Sequence, residues 1–428
     1  MQKSLKTLSV LLLGTLLYTG CQSGHDTTAN IDAAVSDKAR NLKPDADDTT
    51  LRQLAQNNNA FAFDLFTKLK EDGGENLFFS PLSISEALAM TYAGAKGETK
   101  SQMKQVLHFS MDDTALHNSF NALDLHLNYT DANYTFTVAD SLWAQKDFNL
   151  SQSYLDTLKI NYGADVKLVD YKKHTEDARV AINSWVEEQT HARIKDLIPK
   201  GSLTPLTRFV LTNAVYFKAK WMDPFEKDLT HKANFFLEND DVGLQTDFMQ
   251  QTLYAAYAES DDYQALELLY RGERSSMLIL LPREGKLSQT EENLSAIYPA
   301  LNAELAYERV HLELPKFEFT TDPYFLKKHF KALGMQVPFS DDADFSGMTG
   351  KPLMISEIIH KAYIKVDEES TEAAAATAVI GVGGAAGPQD PPVEMIVNRP
   401  FLFFIKDQKS DQILFMGVVK RPVNDSGA

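Results

Sequence analysis

Residues Lys365 to Pro400 read KVDEESTEAAAATAVIGVGGAAGPQDPPVEMIVNRP, and the meaning of the chain turns on this stretch. It opens acidic, passes through Ser370, Thr371 and Glu372 into Ala373, Ala374, Ala375 and Ala376, and ends in prolines. By propensity, Ser370 to Ala378 is a helix with Ser370 or Thr371 as its N-cap and the alanines as strong formers. With a period of two, Thr371, Ala373, Ala375, Thr377 and Val379 share one face. Glu372, Ala374, Ala376, Ala378 and Ile380 share the other, so the one charge stays off the first face. Small side chains throughout let such a strand enter between neighbours without overpacking. A loop that can become a strand is a stored conformational change.

Outward from that loop, the composition is that of a folded protein. The chain has 428 residues, 44% of them hydrophobic, enough to bury a large core. No internal linker divides it and no repeat appears. A net charge of −17 argues against nucleic acid as a partner, because neutralising phosphates needs clustered Lys and Arg.

At the N-terminus, Lys3 and Lys6 precede an apolar run from Leu8 to Tyr18, too short to span a bilayer. It ends Leu17-Tyr18-Thr19-Gly20-Cys21, which resembles a bacterial lipobox. The reading is a lipoprotein signal peptide over 1–20 with lipid attached at Cys21. The alternative is an ordinary cleaved signal peptide with a chance cysteine. Cys21 is the only cysteine, so no intramolecular disulfide can form. Residues 21–50 are polar with no apolar period and read as a flexible tether. The expected location is a bacterial cell envelope, lipid-anchored and facing periplasm or exterior.

The folded domain is placed at 51–425. Leu54, Phe61, Phe63, Leu65, Phe66 and Leu69 recur at helical spacing before Gly73-Gly74. A strand, a proline and a helix from Leu82 to Tyr92 follow in FFSPLSISEALAMTYAGAKGETKSQMKQVL, with a second helix ending at Leu107. Ser110 to Asn128 reads as an amphipathic helix, and Phe136 to Trp143 and Tyr162 to Val166 as strands. Phe209 to Lys218 is a buried strand running towards Trp221. Further antiparallel strands lie between Tyr254 and Pro282 and from Ile405 to Val419.

No enzyme signature is present: no H-E-x-x-H, no cysteine pair, no phosphate-binding Gly-Lys-Ser/Thr loop and no G-x-S-x-G elbow. Neither a cofactor nor a metal is expected.

Asp367 to Thr377, then Asn398, Pro400, Phe401 and Phe403, resemble the reactive-loop hinge and C-terminal end of a serpin. The FFSPLSISEALAMTYAG block, Ile182 to Val186, Ile194 to Ile198 and Phe209 to Lys218 resemble further serpin segments, as do VHLELPKFEF (310–319) and Leu326 to Phe339, which the resemblance makes a strand and a helix. The resemblance covers about Leu51 to Pro422. It implies a mixed α/β (α+β) fold with three β-sheets, about eight or nine helices, and an exposed reactive-centre loop at roughly 368–392. It also implies a monomer that offers bait to a protease and performs no catalysis itself. The target's nucleophile forms an acyl-enzyme on a loop bond, and the cut loop then inserts into the central sheet. The helix at 110–128 lacks the basic cluster that binds heparin-like polyanions in some serpins, so no such cofactor is expected.

Residue by residue, the resemblance makes Ser370, Thr371, Glu372, Ala373, Ala374, Ala375, Ala376 and Thr377 the hinge, with Thr371 in water before cleavage. Ser370 stands where Gly is commoner, and Ala219 is another departure from glycine. Ser80, Ser83, Asn213 and His360 match the cluster that controls sheet opening, and Trp221 the tryptophan at the loop's entry. Each has a plainer reading, as a satisfied buried hydrogen-bonder or a core aromatic. Counting from the hinge puts the scissile bond at Gly384-Ala385, with Val382, Gly383 and Ala386 as rivals; counting back from Asn398 gives a bond near Gln389. Val379 to Ala386 offers no Arg, Lys, Phe, Tyr, Leu or Met. The implied target is therefore an elastase-like serine protease, with papain-like cysteine proteases as a second class. The competing reading is a non-inhibitory serpin, a binding or scaffold protein whose loop is cut as plain substrate.

Overall fold

The computed structural model describes residues 31–128, 134–238, 242–371 and 390–423. From the N-terminus come β1 (Asp32–Ala34), α1 (Asp48–Lys70), β2 (Asn76–Phe79), α2 (Pro81–Tyr92), α3 (Gly97–Val106), α4 (Asp113–Leu127), β3 (Tyr134–Gln145), α5 (Gln152–Tyr162), β4 (Val166–Val169) and α6 (Thr175–Gln189). The middle supplies β5 (Phe209–Lys220), β6 (His231–Phe235), β7 (Leu244–Glu259), β8 (Tyr263–Leu269), β9 (Ser275–Pro282), α7 (Leu287–Glu292) and α8 (Leu294–Glu304). Last come β10 (Ala306–Pro315), β11 (Phe317–Thr320), β12 (Tyr324–Phe325), α9 (Lys327–Ala332), β13 (Glu357–Val366), β14 (Ser370–Thr371), β15 (Val393–Ile396), β16 (Phe401–Asp407) and β17 (Ile413–Val419).

Local chemistry sets the ends of these elements. Asp47 caps α1 by accepting from the Thr50 amide at 2.8 Å. Ser80 caps α2, and Pro81 occupies its first turn, where a missing N–H costs nothing. Every residue of α2 is buried, so it is the helix around which the layers close. The strand expected at Tyr162 starts later, at Val166. Tyr162 ends α5 and Gly163 takes the left-handed conformation (φ 65°) that terminates it.

The first sheet has eight strands in the order β1-β4-β3-β5-β14-β13-β11, with β12 also on β13. Its two faces lie in different cores. Along β5, Leu211, Val215, Phe217 and Ala219 face the main core, while Val210 and Ala214 join Trp143, Ile359 and Tyr363. That second group packs against Ala178, Ile182 and Val186 of α6. The second sheet has nine strands, β15-β10-β7-β8-β9-β16-β17-β2, with β6 on β7. Three sheets are implied by the sequence resemblance, whereas the described ladders join into two. The reason is β7, whose first residues (Leu244–Phe248) pair with β6 and whose last (Ala256–Glu259) pair with β8, so one strand carries the pairing through. Nine α-helices lie among the described residues.

The expected tether over 21–50 needs correction from Ile31 onward. Asp32, Ala33 and Ala34 pair with Leu168, Lys167 and Val166, making β1 an edge strand of the first sheet. Arg40 then forms an ion pair with Asp124 and donates to Asn121 at 2.9 Å, and the Asn41 amide donates to the Ile160 carbonyl at 2.9 Å. Specific polar contacts hold this segment where apolar periodicity is lacking. The signal segment and Cys21 lie outside the described residues.

Candidate functional site

The site is a seam in the first sheet. β5 and β13 run parallel and pair directly from Val210/Glu357 to Val215/Ala362. Beyond that point β14 sits between them, antiparallel to both. Ser370 is opposite Lys220 and Thr371 opposite Ala219 on β5, while Thr371 is also opposite Val366 on β13. A parallel pair can accept a third strand between its members only if the two ladders part. Here they have parted at one end.

A tight turn feeds the chain into that mouth. After β13 the Asp367 carboxylate accepts from the Glu369 and Ser370 amides, each at 3.1 Å, and the Asp367 amide donates to the Ser370 carbonyl at 3.0 Å. Burial pushes the Asp367 carboxyl upward, opposed by those amides. Trp221 anchors the turn from beside it. Its indole N–H donates to the Asp367 carbonyl at 2.9 Å and its amide to the Glu369 carbonyl at 3.1 Å. Glu368 is held by Lys316 at 2.9 Å and by the Thr230 hydroxyl at 2.8 Å. Burial works against its charge, yet these partners keep its carboxyl below the ordinary range. Glu369 pairs with Lys227.

Ser370 and Thr371 are therefore buried, at 0% and 2% exposure. This overturns the expectation that Thr371 lies in water, and the loop's first residues are not exposed. The helical reading also fails at these two residues, because the turn at Asp367 returns the chain antiparallel to β13. Thr371 shares a 2.8 Å hydrogen bond with the Tyr270 hydroxyl, itself buried. Ser370 Oγ is buried with no partner, a cost that a glycine would avoid. Ala219, the other departure from glycine, lies directly opposite Thr371 at the mouth.

Farther down, a polar row crosses the closed part of the seam. Asp140 on β3 is opposite Asn213 on β5, and Asn213 is opposite His360 on β13. The Asn213 amide group donates to Asp140 and to Ser83, and His360 Nδ1 donates to the Asn213 carbonyl oxygen. Ser83 donates to Asp140 at 3.0 Å, the Ser80 amide donates to His360 Nε2 at 3.2 Å, and Ser80 Oγ donates to the Leu414 carbonyl at 2.7 Å. Burial lowers the His360 pKa to about 3, so the ring is neutral and Nε2 is an acceptor. The structure thus brings Ser80, Ser83, Asn213 and His360 together and places Trp221 at the mouth.

Three participants escaped the sequence reading. Asp140 has one carboxylate oxygen buried and unpartnered, and burial with repulsion from Asp124 pushes its pKa well up. Glu86, buried on α2, is pushed up by the same burial and by Asp124 and Asp140. The available signal for Asp140 was that it is the only charged residue in the central strand β3, which reads YTFTVADSLWAQ. Tyr270 carried no signal. The hinge from Glu372 to Thr377, and the bond candidates Gly384, Ala385, Val382, Gly383 and Ala386, lie outside the described residues.

This architecture has relatives. A family profile described as "Serpin (serine protease inhibitor)" matches residues 56–422. An uncharacterized serpin-like protein of Thermococcus kodakarensis is 42% identical over 367 residues, covering 85% of this chain and 84% of that one. Human leukocyte elastase inhibitor is 36% identical over 386 residues, covering 87% of this chain and all of the relative. The native-state crystal structure of tengpin, a thermophilic serpin, superposes with a TM-score of 0.81 at 28% identity, covering 91% of this chain and 99% of that one.

Proposed function

The chain belongs to the serpin family, whose members are generally protease inhibitors and not enzymes, and from that premise we propose that it is an irreversible suicide-substrate inhibitor of serine proteases that prefer small residues. The observation that carries this reading is the seated hinge, with Thr371 already between Ala219 and Val366. Continuing that register down the seam sets Ala373 opposite Phe217 and Ala375 opposite Val215. Thr377 then falls between Asn213 and His360, whose side chains bond directly in the uncut protein. One inserted hydroxyl would meet both groups that the opening leaves unpaired, so the buried polar row can break without leaving orphans.

The mechanism follows from competing rates. A protease attacks the loop and is held as an acyl-enzyme. The freed segment zips into the seam, and trapping requires that insertion outrun hydrolysis. Alanines on the entering face suit that requirement. The small residues around Gly384 and Ala385 suit an elastase-type pocket, and the similarity to leukocyte elastase inhibitor supports the same class. We place the protein as a lipid-anchored monomer on a bacterial envelope through Cys21, with a papain-like protease as the second class of target.

The test is to mix the protein with an elastase-type protease, run a denaturing gel and sequence the released C-terminal peptide. A covalent complex with release of a peptide beginning at Ala385 is expected. Cleavage without a complex would establish the non-inhibitory alternative, and a peptide beginning elsewhere would move the bond.

A further inference from the structure

Tyr270 stands just past the end of β8, buried and stacked on Trp221 with ring centroids 4.7 Å apart and 12° between planes. Phe217 packs against it edge-on at 5.3 Å. An isolated bridge pairs the Trp221 and Tyr270 backbones, so the ring is fixed by both its covalent neighbours and its stacking partner. From that fixed ring the hydroxyl reaches Thr371 Oγ1 at 2.8 Å. Burial raises the phenol pKa, so the group stays a neutral O–H. One of the two hydroxyls donates to the other, and both residues are buried. Ser370, one residue earlier, has a buried hydroxyl with no partner, so seating of the hinge does not depend on every polar group being content.

We propose that Tyr270 is a positioning residue for loop insertion: its hydroxyl latches Thr371 into the mouth of the seam, so that insertion starts from a rung already formed. This rests on the inhibitory reading above for its consequence, though the latch itself does not. In the register continued from the uncut protein, Thr371 keeps its place on insertion, so the bond need not break when the loop enters. Closing the first contact of a loop costs most of the entropy, and extending from it adds little. A protein that keeps the first rung closed meets that cost at folding, not during the race against deacylation. Without the latch, Ser370 and Thr371 are free to leave, and each insertion must begin by recapturing them.

The full-length Tyr270→Phe variant isolates the hydroxyl, because the ring that packs on Trp221 and Phe217 is kept. Hydrogen exchange of the peptide Asp367 to Thr371 in the intact protein reads the latch without any protease. It should quicken about fivefold, the change in opening equilibrium that one net hydrogen bond supports. With an elastase-type protease, the stoichiometry of inhibition should rise at least about twofold while the rate of loop attack does not fall. Thr371→Val should act alike, and the double variant should be no worse than Tyr270→Phe alone, as two halves of one bond require; Thr371→Ser, which keeps a hydroxyl, should behave as the parent. Unchanged exchange in Tyr270→Phe overturns the latch whatever the protease assay gives. Faster exchange with unchanged stoichiometry, in a protein that traps, overturns its role in insertion. If the parent itself forms no covalent complex, the inhibitory reading fails, and the exchange result alone decides whether the latch exists.

Discussion

The two sheets are built to opposite ends. In the second, β9, β16 and β17 are buried at every position, and Phe78 stacks on Phe403 and Phe415 at 5.6 and 5.2 Å. Gly417 on β17 leaves no room for a side chain, since a Cβ there would lie 2.6 Å from the Leu77 carbonyl and 2.9 Å from the Phe403 ring. In the first sheet, the β5–β13 seam is crossed by Asp140, Asn213 and His360 and is parted at one end by Thr371. Opening the second sheet would expose apolar surface that nothing replaces. Opening the first breaks hydrogen bonds that an entering strand can remake. On the proposed mechanism, metastability is confined to that one seam.

The largest expected effect falls on the closed sheet. Phe403→Ala should cost about 3–5 kcal/mol in denaturant titrations. The cost should be the same in intact and loop-cleaved protein. A loss confined to one form would mean that the second sheet also changes on cleavage.

Thr371→Arg comes next. Because Thr371 is buried before cleavage, its replacement by an unpaired guanidinium should cost several kcal/mol in the seated state. The hinge should therefore leave the seam, with exchange over Asp367 to Thr371 rising sharply and trapping lost. Glu372→Arg, on the opposite face by period, should be much milder. Equal damage from both would break the alternation.

A pH series separates the row's members. The folded pKa of His360 is lowered to about 3 by burial, against about 6.5 unfolded. Its contribution to stability is complete above pH ~6.5 and is lost as pH falls towards about 3, amounting to a few kcal/mol. Asp140 has the opposite sign. Its raised pKa means the folded state holds the proton, so its contribution weakens as pH rises from the ordinary carboxyl range towards the folded value. Melting curves of Asp140→Asn should flatten the upper side of the profile, and those of His360→Gln the acid side. Profiles unchanged in both variants would remove this row as the seam's fastening.

The smallest effect belongs to Ser370→Ala, which deletes a buried orphan hydroxyl. It should stabilise the seated form by about 1 kcal/mol, visible as slower exchange of the turn. A loss of stability would show that the hydroxyl has a partner after all.

Most of the seam was legible because its signals are periodic or tied to a family resemblance. Ser370 and Thr371, where the alternation begins, lie in a strand, and Ser80, Ser83, Asn213 and His360, far apart in the chain, come together as the family resemblance implied. What escaped depends on contacts with no period. Asp140 gains its meaning only from register with Asn213 across β3 and β5. Tyr270 gains its own from the fold that brings it to Thr371. The alanines gave no hint that Ser370 and Thr371 are seated, since helix, exposed loop and inserted strand all accept alanine; the turn made by Asp367 decides it. The segment after Ile31 looked like a tether because Arg40 and Asn41 dock through polar contacts, to Asn121, Asp124 and Ile160, that leave no apolar period in the sequence.

The central claim is that the seam exists to take up the cut loop, and thermal unfolding of intact against loop-cleaved protein tests it most directly. An inserted strand of about ten residues, each adding roughly one net hydrogen bond of about 1 kcal/mol, should raise the melting temperature by more than about 10 °C. Identical melting temperatures for the two forms would show that the loop stays out and that the seam is only a weak place in the sheet.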